Sequence, residues 1–530
     1  MNKSMNLETF GVMIDCSRNA VMKPQTVMKY MDLIADFGYN CIMLYMEDTY
    51  TVVNQPYFGH GRGRYNAEEL KSMDDYAASK GIELVPCIQT LAHLNAIFHW
   101  DVYKRIRDCG DILLCDDENT YKLIDDMFAS LSNCLTTKTV NIGMDEAHML
   151  GRGRYFDKHG AQDRFDILLK HLNKVSEIAR KYDFKLLMWG DMFFRLLGNG
   201  YYDGENNVPE KVKKMIPDNV ELVYWDYYSK NKADYDKRIK EHFSIKENIW
   251  FAGGLWTWSG FAPHNKFSLA TTKAAFDSCR EQGVKRVFLT MWGDNGAECS
   301  KFSVLPSLFY ASELVKGNDD FESVKKKFFD KFGIGFDEFM LLDLPLVPNG
   351  SDSIINSDKY LLYNDCFVGL FDSVVSKDDG ANFGKMAETL EAVTENEYSY
   401  LFRTAAALCR LLEKKADIGV KTHAVYEGGD AVQLEELIGE YDTVISLAEE
   451  FYNSFEKQWM TENKPHGFDV QDIRIGGLIM RLKHCKKRLT QYVSGEIARI
   501  EELEEKPLDI KNGTHLEYND WANTATANIL

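Results

Sequence analysis

Up to residue 316, a short and almost wholly apolar run is followed eight times by a stretch with apolar residues at helical spacing. The runs are ETFGVMID (8–15), CIMLYM (41–46), IELVPCIQ (82–89), KTVNIGM (138–144), FKLLMWG (184–190), VELVYW (220–225), NIWFAGGLW (248–256) and KRVFLTMW (285–292). They are rich in β-branched, aromatic, Leu and Met residues and lack the polar alternation of a half-exposed strand. That pattern suits parallel strands covered on both faces. Between them, KPQTVMKYMDLIADFG stops at Gly38, and NAEELKSMDDYAASKG opens on Asn66 as N-cap and closes at Gly81. Eight alternations predict a closed (β/α)₈ barrel. A doubly wound open sheet is the alternative, but no G-x-G-x-x-G follows the first run, so nothing recommends a dinucleotide fold.

The texture changes near residue 318. Stretches such as YLFRTAAALCRLLEKKADIGVKTHAV and DIRIGGLIMRLKHCKKRLTQYV are helical in pattern. The expected division is a barrel over 1–318 and a mostly α-helical C-terminal domain over 319–530. The segment LVPNGSDS (346–353) reads as a loop, and the polar tail after Pro507 as an extended arm.

Composition narrows the partners. Sixty-two Lys and Arg against 81 Asp and Glu give a net charge of −19, which repels phosphate backbones and argues against nucleic acid. No apolar run approaches the ~20 residues a membrane helix needs, so no membrane partner is expected. The opening MNKSMNLETFGVMID has no signal-peptide core. Eleven cysteines without a C-x-x-C pair argue against a disulfide framework and a structural zinc site. A cytoplasmic location is the simplest expectation. The helical C-terminal region leaves an oligomer possible.

The strongest chemical signal is KTVNIGMDEAH (138–148), where a buried run ends directly in Asp145 and Glu146. Burial beside another carboxylate raises the pKa of one member, which can then donate a proton near neutral pH. A solvated acidic loop or a helix cap is the plainer reading of a D-E pair. Aromatics give a second signal. Seven of nine tryptophans lie in the first 300 residues, and Trp189, Trp225, Trp256 and Trp292 stand at or near run ends. Flat rings at a barrel mouth suit the C–H faces of a sugar, although each alone also suits core packing. Arg18, Glu47, Asp48 and His93 follow the first three runs and could bond sugar hydroxyls. The string GRGRY occurs at 61–65 and 151–155, each after a run; turn glycines with solvated arginines account for it most simply.

Taken in order, these motifs resemble glycoside hydrolase family 20, the β-N-acetylhexosaminidases. The resemblance rests on Asp15 and Arg18 in MIDCSRN, on YAASKGIELVPCIQTLAH, on NIGMDE and on the tryptophans, over residues 8–316. Asn141 stands where the family often has His, and QTLAH replaces a more acidic pattern. The resemblance implies an exo-acting, retaining β-N-acetylhexosaminidase working by substrate assistance on glycans with a terminal β-linked N-acetylhexosamine. The substrate's 2-acetamido oxygen would then be the nucleophile. It implies Glu146 as acid and base, Asp145 as the group orienting the acetamide, and Tyr227 or else Tyr228 as the acetamide-contacting tyrosine. Arg18, His93, Asp294 and Glu298 would grip hydroxyls; three tryptophans wall the acetamido pocket in the family, and Trp189, Trp225, Trp256 and Trp292 are the candidates for that wall here. It implies no cofactor and no metal; His148, His159 and His171 form no ligand set with the acids. Two readings stay open beside it. One is an ordinary retaining glycosidase with a carboxylate nucleophile such as Asp294. The other is a catalytically silent sugar-binding barrel.

Overall fold

The computed structural model describes residues 4–522, apart from 199, 202–206, 347–354, 510, 514, 515 and 518. All eight apolar runs are strands: β1 (Thr9–Asp15), β2 (Cys41–Tyr45), β3 (Glu83–Cys87), β4 (Thr139–Asn141), β5 (Lys185–Trp189), β6 (Val220–Trp225), β7 (Ile249–Gly254) and β8 (Arg286–Met291). They pair in parallel, in sequence order, and β8 closes on β1 through Thr9↔Arg286 to Ile14↔Met291. Closure decides for the barrel over the open sheet. The strands are buried along nearly their whole length, because side chains fill the inside and helices cover the outside.

The strands are shorter than the apolar runs, and the surplus residues form the barrel mouth. The fourth run continues to Met144, yet β4 ends at Asn141. The seventh run continues to Trp256, yet β7 ends at Gly254. Helices Pro24–Phe37, Ala67–Ser79, Glu118–Ser132, Arg164–Arg180, Lys232–Phe243, Asn265–Gln282 and Leu305–Val315 return the chain to the barrel floor. Gly38 closes the first in the left-handed conformation (φ 93°), and Asn66 and Glu69 form a reciprocal capping box on the second.

Past residue 318 the described chain is helical, with Ser399–Lys415, Ala431–Glu462 and Asp469–Val493 as its long members. This region packs on the barrel through aromatic contacts, with Phe261 meeting Phe451 and Phe455 edge-on at 5.2 and 5.3 Å. Polar ties reinforce it. Lys23 N donates to the Glu462 carbonyl and Lys464 N to the Val21 carbonyl. Of the anticipated loop at 346–353, all but Leu346 lies outside the described residues. The described part of the tail after Pro507 is irregular, and it is tied down by Trp521, which is buried. No helix among the described residues is long and apolar enough to cross a membrane.

Candidate active site

The C-terminal ends of the strands surround a cavity of about 710 Å³, within the range of small-molecule sites. Asp145 and Glu146 enter it because the chain turns sharply after β4. Gly143, Met144 and Glu146 all have positive φ (71°, 70° and 52°). A left-handed conformation costs a non-glycine residue about 1–2 kcal/mol, so it persists only where neighbours hold it. Here Met144 N donates to Gln89 Oε1 (3.1 Å) and Glu146 N to Asp191 Oδ2 (3.0 Å). Gly143 has a further reason to be glycine: a Cβ there would stand 2.0 Å from Gln89 Oε1.

The two acids meet different partners. Asp145 Oδ1 accepts from Gln89 Nε2 at 2.8 Å, and Oδ2 lies 3.1 Å from His93 Nε2. Glu146 Oε1 pairs with Arg195 Nη2 at 3.1 Å, and Oε2 lies 3.8 Å from His93 Nε2. The Asp145 side chain is 12% exposed and that of Glu146 39%, so Glu146 reaches further toward incoming molecules. Burial would raise Asp145, but the His93 charge and the bonds from His93 and Gln89 hold it below the usual carboxylate range. Glu146 moves the other way. Burial and then the Asp145 charge push it up, against His93 and Arg195. Burial opposes the charge on His93, but Asp145 outweighs it and carries the imidazole up to about 10, so it is cationic at neutral pH.

At β1 and β2, Arg18 Nη1 pairs with Glu47 Oε1 at 2.9 Å, and the Tyr45 hydroxyl donates to the same oxygen at 3.1 Å. Burial raises Glu47 to about 7 despite Arg18. Asp294 also faces the cavity, and burial raises it to about 6 against the pull of Arg18. Asp48 is buried and holds Arg62 Nε at 2.9 Å. Arg62, the first of the two arginines in the first GRGRY string, is therefore anchored at the cavity edge rather than solvated. In the second string, Arg154 Nη1 donates to the Lys104 and Arg105 carbonyls.

An aromatic box closes one side. Trp189, Trp225, Tyr227, Trp258 and Trp292 line the cavity, with Trp225 stacked on Tyr227 (5.4 Å, 21°) and Tyr45 edge-on to Trp292 (4.7 Å, 83°). Trp292 Nε1 donates to the Tyr227 hydroxyl at 3.0 Å. The partly exposed Tyr228 is also in the wall.

Two expected residues stand elsewhere. Trp256 is not in the wall; β7 ends two residues before it, its indole N–H donates to the Tyr227 carbonyl (3.0 Å), and Trp258 stacks on its cavity side (4.4 Å, 27°). Glu298 turns away into the C-terminal region, where it binds Lys359 and, at 3.1 Å, Arg474 Nη1. Arg18, His93, Asp145, Glu146, Trp189, Trp225, Tyr227, Trp292 and Asp294 do converge on the cavity.

Several contributors have no conspicuous sequence signal. Trp258 lies two residues past a tryptophan already singled out. Asp191 and Arg195 stand four apart on the short helix Met192–Arg195 and its cap, and Arg195 Nε bonds Asp191 Oδ2 at 2.8 Å. Gln89 ends the third run, where an amide attracts no notice. Arg474 and Asn519 reach the wall from the C-terminal region, and no local pattern could have indicated them. Among the described residues, no group of three or more His, Cys, Asp or Glu side chains is placed to hold a metal ion.

Comparison with known proteins identifies the family. The catalytic domain of glycosyl hydrolase family 20 matches residues 10–249, and the glycoside hydrolase 20C C-terminal domain matches residues 337–520. The chain belongs to glycoside hydrolase family 20. Curated proteins similar to it include Hexosaminidase D of Bos taurus, 24% identical over 246 residues, which are 43% of this chain and 64% of that protein. Hexosaminidase D of Homo sapiens is 22% identical over 255 residues, 46% of this chain and 49% of that protein. The chain thus matches from about half to just under two thirds of the length of these curated relatives. Among solved structures, a β-N-acetylhexosaminidase from Bacteroides fragilis aligns with TM-score 0.47 and 18% identity, over 61% of this chain and 69% of that one.

Proposed function

We propose that the protein is an exo-acting, retaining β-N-acetylhexosaminidase that removes a terminal β-linked N-acetylglucosamine or N-acetylgalactosamine by substrate assistance. One observation carries the reading: two adjacent carboxylates in one cavity are driven in opposite directions, Asp145 down and Glu146 up. An acid that holds its proton more tightly than a free glutamate, beside a carboxylate held in its charged form, can divide the labour of a glycosidase.

In this reading Glu146 protonates the leaving oxygen and then takes a proton from water. Asp145 has lone pairs left after Gln89 and His93 and accepts from the acetamido N–H. That bond aligns the amide and balances the positive charge growing on it. The Tyr227 oxygen already accepts from Trp292, so its hydrogen is available to the acetamido oxygen. The 2-acetamido oxygen attacks the anomeric carbon from within the substrate, where effective molarities of about 10⁵–10⁸ M are attainable. Arg18, with Glu47 and Asp294 around it, takes ring hydroxyls.

Division of the chain into a catalytic unit over 1–318 and a helical unit over 319–530 belongs to the same proposal. So does a reducing, cytoplasmic setting, which the eleven unpaired cysteines favour.

The test compares nitrophenyl N-acetyl-β-glucosaminide with the plain β-glucoside. Cleavage of the first alone is expected, because the nucleophile resides in the acetamide; equal rates would refute the reading. Glu146→Gln should harm poor leaving groups most, whereas Asp145→Asn should slow all substrates alike. Near-wild-type turnover of a natural glycoside by either variant would end the assignment.

A further inference from the structure

The barrel does not build the cavity wall alone. Arg474, on helix Asp469–Val493, and Asn519, in the tail, both line it. They meet the barrel at the loop after β8. Arg474 Nη1 donates to the Asn295 carbonyl and to Glu298 Oε1, and Asn295 Nδ2 donates to Asn519 Oδ1. Glu298 is buried and fully engaged, accepting also from Gln471 Nε2 at 3.1 Å and from Lys359.

Trp521 secures this corner. It is 1% exposed, stacks on Tyr363 at 5.4 Å and 22°, and faces two cations, the Lys359 ammonium at 3.9 Å and the Arg474 guanidinium at 5.1 Å. Such contacts fix both the ring and the cations over it. A tail of polar residues thereby acquires one aromatic anchor two positions from Asn519.

The guanidinium is held along one edge only. Nη1 carries both of its hydrogen bonds, Nε is buried without an acceptor, and Nη2 bonds no other described residue. An arginine fork pinned in this way presents its remaining donors in a fixed direction. The adjoining wall is Asp294, Asn295 and Gly296. A pyranose with C1 at Glu146 and its C2 substituent between Asp145 and Tyr227 turns C4 and C6 away from those groups. Arg18 beside Glu47 and Asp294, and Arg474 beside Glu298, each already have a carboxylate partner. This end of the cavity therefore suits a neutral hydroxyl.

We propose that Arg474 is a substrate-binding and specificity-determining residue, donating from Nη2 to the C4 or C6 hydroxyl of the terminal sugar, with Trp521 as the positioning residue that holds Arg474 and Asn519 against the barrel. The proposal rests on the hexosaminidase reading of the site. It makes the C-terminal region part of the sugar site.

The full-length protein and its Arg474→Gln, Asn519→Ala and Trp521→Ala variants would be assayed on an aryl N-acetyl-β-glucosaminide and on its 4-deoxy and 6-deoxy analogues. Thermal melts would check folding, and calorimetric titration with N-acetylglucosamine would read binding without turnover. Arg474→Gln is expected to raise KM about 10- to 100-fold on the parent substrate, the range of a charge-assisted hydrogen bond, with a smaller change in kcat. On one deoxy analogue that penalty should shrink to about twofold, since the hydroxyl is gone. Trp521→Ala should raise KM in the same way without moving the pH profile. An equal Arg474→Gln penalty on all three substrates, or none on any, would overturn the proposal. If Arg474→Gln fails to fold, Arg474→Lys, which keeps the charge beside Glu298 but loses the forked donor, carries the same test: a KM unchanged on every substrate would overturn it. A wild-type protein that neither cleaves nor binds the N-acetyl sugar would refute the parent reading and this one with it. Activity that is merely indifferent to Arg474 and Asn519 would refute this one alone.

Discussion

Trp292 gives its indole N–H to the Tyr227 oxygen across 3.0 Å, and this fixes which way the phenolic hydrogen can point. The ring is clamped by Trp225 on one side and Trp258 on another. Tyr227→Phe should therefore keep the box but lose the donor. A preorganised donor to a developing charge is worth about 10²–10³ in rate. The variant is expected to lose on the order of 100-fold in kcat on an aryl N-acetyl-β-glucosaminide, with KM moving less. An unchanged kcat would show that Tyr227 does not hold the acetamide.

As the proposed acid, Glu146 must carry a proton when substrate binds, so the alkaline limb of kcat/KM should follow its ionisation. Burial is the larger cause of its raised pKa, and the Asp145 charge the second. Asp145→Asn removes the second and weakens the smaller, opposing pull of His93, whose charge Asp145 sustains. The alkaline limb should then move to lower pH without returning to the value of a free glutamate. It is best measured with a sugar or alkyl leaving group, which needs the proton. Movement to higher pH would contradict the coupling between the two acids.

Glu462 ends the helix Ala431–Glu462 and accepts from Ser300 Oγ (2.5 Å) and from the Tyr400 hydroxyl (2.8 Å). Burial raises its carboxyl to about 7. The folded protein thus binds this proton more tightly than the unfolded chain, whose glutamates titrate near 4.3. Its contribution is complete below that value and is lost as pH rises through 7. Glu462→Gln cannot ionise and should melt higher than wild type at pH 8, by on the order of 2 °C or more, with little difference at pH 5. Glu47 and Asp343, also raised to about 7, should preserve part of the wild-type slope. A variant that melts lower at pH 8 would contradict this.

The barrel was legible because each strand is buried on both faces, so its apolar run stands out from the amphipathic helix that follows. The acid pair was legible because a strand that ends in two carboxylates is conspicuous. Trp256 was misplaced by two residues of strand length: the run stays apolar past Gly254, but the chain has already left the sheet and presents Trp258 instead. Glu298 was misplaced because its partners, Lys359 and Arg474, lie far along the chain. Arg474 and Asn519 were hidden for the same reason. A helix packed against the barrel mouth shows its periodicity in sequence, but not the residue that reaches over the rim.

Substrate assistance is tested most directly by the rates of a series of aryl glucosaminides whose acetamide methyl carries none, one, two or three fluorines. Each fluorine withdraws charge from the carbonyl oxygen that acts as nucleophile under substrate assistance. A steep fall in kcat/KM along the series is expected, with little change in the affinity for the product sugar. A rate indifferent to fluorination would place the nucleophile on the protein or on water, and would contradict Asp145 as the residue that orients the acetamide beside the acid Glu146.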